Sequence, residues 1–322
     1  MPQSIDRSII IPVYRNEENI PDLLPVLGQL TQSLEGVNEV VFVVDGSPDR
    51  SGDKLRAGLE NCAFPARLLF HSRNFGSFAA IRTGLVHARG EHFAAMAADL
   101  QEPPELIVDF FRALDRDEAD VVFGHRAERN DSRSSMFLSN LFWGFYRRFV
   151  VPDVPRGGVD IFACNRKVRD ALLSIEESNS SLVAQLFWVG FRRKFASYSR
   201  RAREKGKSAW SFKRRFNYML DSIFSYSDLP VMVLLWTGIL GIVFSLLLSL
   251  LILAAKMLGF IEVAGYTPVM LTILIMGSIT LFSQGLMGCY LWRTLENTKH
   301  RPLSLICDEC VFPGRETRKD DD

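Results

Sequence analysis

The sequence predicts an α/β fold, a mostly parallel sheet covered by helices on both faces, followed by two long apolar spans. Three observations carry this. Short β-branched apolar runs alternate with helix-spaced stretches between residues 8 and 123. The chain has 322 residues, enough for one large domain and an appendage. Its hydrophobic residues are concentrated between 231 and 292, where charge almost disappears. Strands alternating with helices give parallel sheets buried on both faces.

The elements follow in order. Ser8 to Val13 reads as the first strand and Glu17 to Leu34 as a helix. Glu39 to Val44 is a second buried strand, ended by Asp45-Gly46-Ser47, all turn formers. Ser51 to Leu59 reads as helix, Arg67 to Phe70 as the third strand and Ser77 to Val86 as helix. Phe93 to Ala98 reads as the fourth strand, ended by Asp99. Pro103 opens a helix reaching Leu114, since proline is tolerated in a first turn, and Asp120 to Phe123 is a further strand. Ligands of such sheets bind beyond the carboxyl ends of the strands. This reading puts both Asp45 and Asp99 there.

Val231 to Ala255 and Ala264 to Trp292 contain no charged residue. At about 1.5 Å per residue each is long enough for a hydrocarbon core of roughly 30 Å. A short link joins them, so they are expected to form a transmembrane hairpin with both ends on one side. Basic residues flank it: Lys213 to Arg215 before, and Arg293, Lys299 and Arg301 after. By the positive-inside rule that side is cytoplasmic. Between Trp210 and Leu229, Phe212, Phe216, Met219, Ile223 and Phe224 fall near one helical face, which suits a helix lying in the bilayer interface. The expected organisation is a cytoplasmic catalytic domain (1–207), an interfacial helix (208–230), a hairpin (231–292, with spans 231–255 and 264–292) and a cytoplasmic tail (293–322).

The net charge of +1 points to no partner by itself, and no nucleic acid is expected. Locally the balance differs, with eleven Lys or Arg and one acid, Glu204, between Arg192 and Arg215. The five cysteines form no disulfide framework, which suits a reducing compartment. Cys307 and Cys310 are spaced as C-x-x-C, yet only His300 lies near, too few ligands for zinc; a loose tail is expected there. No charged-then-apolar leader precedes Ser8, so the N-terminal domain is expected to stay in the cytoplasm.

Four stretches carry chemistry-bearing residues. Asp45 at a strand end can accept hydrogen bonds from a base or ribose, or simply belong to a turn. Asp99 and Gln101, two residues apart, can offer oxygens to one hard cation such as Mg²⁺, whose shell ligand phosphates complete. The same acids also suit a helix N-terminus. Arg73, in Arg73-Asn74-Phe75-Gly76, can bond a base or diphosphate or be a solvated loop arginine. Arg200, Arg201 and Arg203 precede Glu204-Lys205-Gly206-Lys207-Ser208-Ala209-Trp210, a basic, flexible segment able to clamp a lipid phosphate or merely to touch anionic lipid.

Six stretches in this order resemble glycosyltransferase family 2, in the branch of polyisoprenyl-phosphate glycosyltransferases. They are Ile9 to Ile20, Val43 to Ser51, Arg73 to Gly76, Ala98 to Glu105, Pro155 to Asp160 and Glu204 to Trp210. The resemblance implies a GT-A type fold and inverting transfer of a sugar from a nucleotide-sugar to polyisoprenyl phosphate, with undecaprenyl phosphate the expected acceptor. It implies a divalent cation, Mg²⁺ or Mn²⁺, at Asp99 and Gln101, and donor contacts from Pro12, Tyr14, Glu17, Asp45 and Arg73. Asp160 matches an acid near the reaction centre, and Arg200, Arg201 and Lys207 fall near the acceptor phosphate. A multi-pass protein of the cell inner membrane, touching the lipid bilayer and assembling as a homo-oligomer such as a tetramer, is expected. The chain departs from the family at Val44 and Ala97, where acids are usual, and at Phe78, often an acid. Loss of the first two leaves open a catalytically degenerate member that binds nucleotide-sugar or lipid as a scaffold or regulator.

Overall fold

The computed structural model describes residues 4–126, 144, 147–148, 153–155, 159, 161–177, 180–199, 220–221, 223–224, 227, 229–258 and 265–314. These divide into two compact units, Met1–Asn217 with Pro302–Asp322, and Tyr218–Arg301.

The first unit is built on one eight-stranded sheet. In chain order its strands are β1 (Arg7–Val13), β2 (Asn38–Val44), β3 (Ala66–His71), β4 (His92–Ala95), β5 (Val121–Arg126), β6 (Ile161–Asn165), β7 (Arg193–Tyr198) and β8 (Ile306–Phe312). In space they run β7-β5-β6-β4-β1-β2-β3-β8. β3, β2, β1 and β4 are mutually parallel, so their carboxyl ends share one edge. β6 is antiparallel to both β4 and β5.

The helices are α1 (Ile20–Ser33), α2 (Ser51–Leu59), α3 (Ser77–His87), α4 (Pro104–Asp115), α5 (Arg166–Leu173) and α6 (Leu182–Trp188). Every residue of β2 is buried, which explains the apolar run Val40 to Val44. In α4, Leu106, Ile107, Phe110, Phe111, Ala113 and Leu114 are buried at helical spacing, and Pro104 occupies the first turn where no backbone donor is lost. Ile9, Ile11, Phe42, Phe110 and Phe111 are fully buried in the core beneath the sheet.

Two expectations need correction. The strand expected over Phe93 to Ala98 stops at Ala95. Its β1 partner register ends at Ile10 opposite Ala95, with one further backbone bond from Met96 N–H to the Ile10 carbonyl, after which the chain turns away. The tail is not loose. Residues 306–312 form β8, antiparallel to β3 along the sheet edge. Arg56 and Arg67 anchor it through Asp308 (2.5 Å) and Glu309 (3.1 Å). The basic run starts at β7. Its first three cations lie at or in β7 and are ion-paired: Arg192 with Asp117 and Asp120, Arg193 with Asp153, and Lys194 with Glu118.

The second unit holds α7 (Leu229–Met257, 29 residues) and α8 (Tyr266–Thr298, 33 residues). The two expected spans are therefore helices with a short link. Judged on the described residues alone, no helix is long and apolar enough to cross a membrane. Within this unit Phe224 packs edge-on against Tyr290 with ring centres 5.5 Å apart, and Arg293 pairs with Asp221 at 2.8 Å. Most of the expected interfacial helix, 208–230, lies outside the described residues.

Candidate active site

Three loops leave the carboxyl ends of β1, β2 and β3 and are laced together. After β1, Arg15 adopts a left-handed conformation (φ 56°) and its N–H donates to Ser47 Oγ at 2.8 Å. The Asn16 N–H donates to Ser51 Oγ at 3.0 Å, and the Glu17 N–H to Asp49 Oδ2 at 3.1 Å. In return the Glu17 carboxylate accepts the Arg50 N–H at 3.1 Å, at the start of α2. Glu17 thus joins two loops, while Tyr14 is half-buried beside the Arg15 guanidinium, 5.4 Å from its ring centre. Pro12 lies within β1, opposite Val43.

Burial disfavours ionisation of Asp49, but hydrogen bonds from Ser47 and Ser51 and from the Glu17 and Ser51 backbones outweigh it and hold the carboxyl below the usual aspartate value. A group with a lowered folded value adds stability above its unfolded value, and that stability is lost as pH falls through the folded one. The gap in urea midpoint between the wild type and Asp49→Asn is therefore expected to narrow as pH falls from about 5 to about 3. A pH-independent gap would count against an ionised Asp49.

Asp45 is turned inward. Its carboxylate is 2% exposed and accepts the Phe75 and Gly76 N–H groups, both at 2.8 Å, and His71 Nδ1 at 2.9 Å. Asn74 Nδ2 donates to the Asp45 carbonyl at 3.3 Å. Asp45 therefore shapes the Arg73–Gly76 loop, and Arg73 stands exposed with its guanidinium 4.2 Å from the Phe75 ring centre. Gly46 makes the approach possible: its φ is +55°, and a Cβ there would lie 2.3 Å from the Arg73 carbonyl carbon. The departure at Val44 is absorbed by packing, because Val44 belongs to the hydrophobic core at 4% exposure.

Beyond β4, Asp99 and Gln101 flank Leu100, which is left-handed (φ 52°). The Gln101 N–H lies 3.4 Å from Asp99 Oδ1, so carboxylate and carboxamide sit on one tight turn. Asp99 is half-buried, and Gln101 and Glu102 are buried at 9% and 2% exposure. An all-oxygen donor pair of this kind fits Mg²⁺ or Mn²⁺, hard cations that take few protein carboxylates and keep positions for phosphate and water. Asp160, Arg200, Arg201 and Lys207 lie outside the described residues.

Sequence reasoning passed over His71 and Thr83. A single histidine ending an apolar strand has no spacing signature, and only the fold shows that its ring bridges Asp45 and Thr83.

The glycosyl transferase family 2 model matches residues 8–173. An uncharacterized glycosyltransferase of Synechocystis sp. is 34% identical over 310 residues, 95% of this chain and 96% of its own. CsbB of Bacillus subtilis, named as a glycosyltransferase, is 32% identical over 96% of this chain and 93% of its own. The bactoprenol glucosyl transferase of Shigella phage SfV is 27% identical over 94% of this chain and 98% of its own. The parallel strands, the loops gathered at their carboxyl ends and these matches agree: the chain belongs to glycosyltransferase family 2, and is a glycosyltransferase with a GT-A type α/β domain.

Proposed function

We propose that this enzyme moves a sugar from a nucleotide-sugar onto a polyisoprenyl phosphate, with undecaprenyl phosphate the acceptor, at the cytoplasmic face of the inner membrane. The observation that carries the reading is the set of loops after β1 to β4 on one sheet edge, with the oxygen-bearing turn of Asp99 and Gln101 among them. Support for the acceptor comes from the phage relative named bactoprenol glucosyl transferase, matched over nearly its whole length.

The chemistry asked of the chain is modest. A phosphate monoester is already anionic at neutral pH, so its oxygen needs little help from a base. That oxygen forms a bond to the anomeric carbon as the bond to the donor's diphosphate breaks, with inversion, and the nucleoside diphosphate leaves. Catalysis then rests on holding two anions together and stabilising the departing charge. Asp99 and Gln101 would hold Mg²⁺ or Mn²⁺, which when bound supplies positive charge against the diphosphate. Pro12 near the end of β1, with Tyr14 and Glu17 in the loop that follows, forms the donor wall. Arg73, aimed by Asp45, contacts the base or diphosphate. Arg200, Arg201 and Lys207 hold the acceptor phosphate and Asp160 orients it.

The hairpin α7–α8 anchors the enzyme in the bilayer in this reading. In sequence, Val231 to Ala255 and Ala264 to Trp292 carry no charge, and at about 1.5 Å per residue each is long enough to span. Trp236, Leu240, Phe244, Leu247, Leu250, Leu251, Phe282 and Leu291 are all exposed, an apolar surface that water does not favour. Packing between copies, as in a tetramer, would cover part of it.

The test uses the full chain in detergent with labelled UDP-glucose, undecaprenyl phosphate and Mg²⁺ or Mn²⁺. Label is expected to move to the lipid on thin-layer chromatography. If it stays in water with every donor of a UDP- and GDP-sugar panel, the transfer reading fails. The non-alanine counterpart of Ala97 being usually acidic favours one second reading, a binder without turnover, which calorimetry showing donor binding alone would identify.

A further inference from the structure

A buried polar relay runs from the C-terminal segment to the donor-side loop. Ser304, just before β8, lies with its Oγ 2.7 Å from Thr83 Oγ1 on α3. Thr83 Oγ1 is 2.9 Å from His71 Nε2, and His71 Nδ1 is 2.9 Å from Asp45 Oδ1. Asp45 then accepts the Phe75 and Gly76 N–H groups. The next residue joins as well, because the Ser72 N–H donates to the Leu305 carbonyl at 2.9 Å.

The polarity of this chain follows from its end. The Asp45 carboxylate accepts only, so His71 Nδ1 must donate to it. When the ring carries a single proton, Nε2 accepts the Thr83 hydroxyl proton and Thr83 Oγ1 accepts from Ser304. The groups form a continuous hydrogen-bonded chain, in a site where the His71 and Asp45 side chains are 0% and 3% exposed. Low polarity strengthens such bonds and makes a missing link costly. The β3–β8 pairing also shifts register between Phe70 and His71, and irregularities of this kind re-aim a side chain at a strand end.

We infer that His71 and Thr83 are positioning residues: through them the segment that follows the apolar helices in sequence sets the conformation of the Arg73–Gly76 loop, and hence donor affinity. His71 and Thr83 act on the loop through Asp45. The link to donor affinity rests on the reading proposed above, that Arg73 contacts the donor.

The experiment compares the full chain with Thr83→Val, which keeps the volume and removes the hydroxyl, Thr83→Ser, which restores it, and Ser304→Ala, a change near the surface that spares the core. Hydrogen exchange reads the amides of residues 72–77 directly, with no substrate present. Thr83→Val is expected to speed their exchange about tenfold, Ser304→Ala about threefold, and Thr83→Ser to match wild type, while β1 and β2 amides stay protected. With UDP-glucose as probe, Thr83→Val should raise the donor KM about fivefold and leave kcat within about twofold. Unchanged loop exchange in both Thr83→Val and Ser304→Ala overturns the relay, as does acceleration spread evenly over the domain, which marks a merely structural role. Faster loop exchange with an unchanged donor KM, or no transfer by the wild type, keeps the relay and sinks the assignment of the loop to the donor.

Discussion

Asp99→Ala is expected to lower sugar transfer to undecaprenyl phosphate by a hundred- to a thousandfold or more, on the order of removing one key stabiliser of transition-state charge. With Val44 in the core and Ala97 in place of an acid, Asp99 is the carboxylate left on the turn beside Gln101. No nearby acid on that turn substitutes easily, since Glu102 is buried at 2% exposure. Added Mg²⁺ or Mn²⁺ should not rescue the variant, and chelation of the wild type should reproduce its loss. Asp99 is half-buried and outside any strand, so the melting temperature should move by no more than about 2 °C. Full activity of a folded Asp99→Ala protein would remove the metal assignment.

The second large effect is on stability. Gly46 occupies φ +55°, and a Cβ would meet two backbone atoms, the Arg73 carbonyl carbon at 2.3 Å and Asn74 N at 2.4 Å. Neither can swing aside as a side-chain tip would. Gly46→Ala combines left-handed strain with displacement of the Arg73–Gly76 loop, and should cost about 2 to 4 kcal/mol. For a domain of this size that is a fall in melting temperature of about 5 to 15 °C. Donor KM should rise in parallel, because the displaced loop carries Arg73. A melting temperature within about a degree of wild type would show that the two loops separate freely.

The parts of this fold that could be read from sequence are those where burial alone dictates residue type. β2 is buried on both faces and apolar from Val40 to Val44, so its reading as a strand from Glu39 to Val44 agrees with the observed Asn38–Val44. The end of β4 was not legible, because Ala95, Met96, Ala97 and Ala98 look alike in composition and only the departure of the β1 partner stops the pairing. β8 was hidden for a different reason. An edge strand that is mostly exposed, with Asp308 and Glu309 facing Arg56 and Arg67, has no apolar alternation to announce it. The ion pairs of the cations at the start of the basic run were likewise not legible, because their acids lie some seventy residues earlier, at Asp117, Glu118 and Asp120. In the site, Asp45 and Asp99 stood out as acids beyond strand ends. That Asp45 faces inward, toward His71 and two amides, depends on a loop conformation that Gly46 permits and no spacing encodes.

The sheet's outer strand at β3 is closed by residues that emerge from the ribosome only after both long apolar helices have been made. Until then the nascent domain presents an unpaired strand edge, a template for wrong partners. Biogenesis is thus ordered: the α/β unit cannot complete its sheet before both long apolar helices have been synthesised.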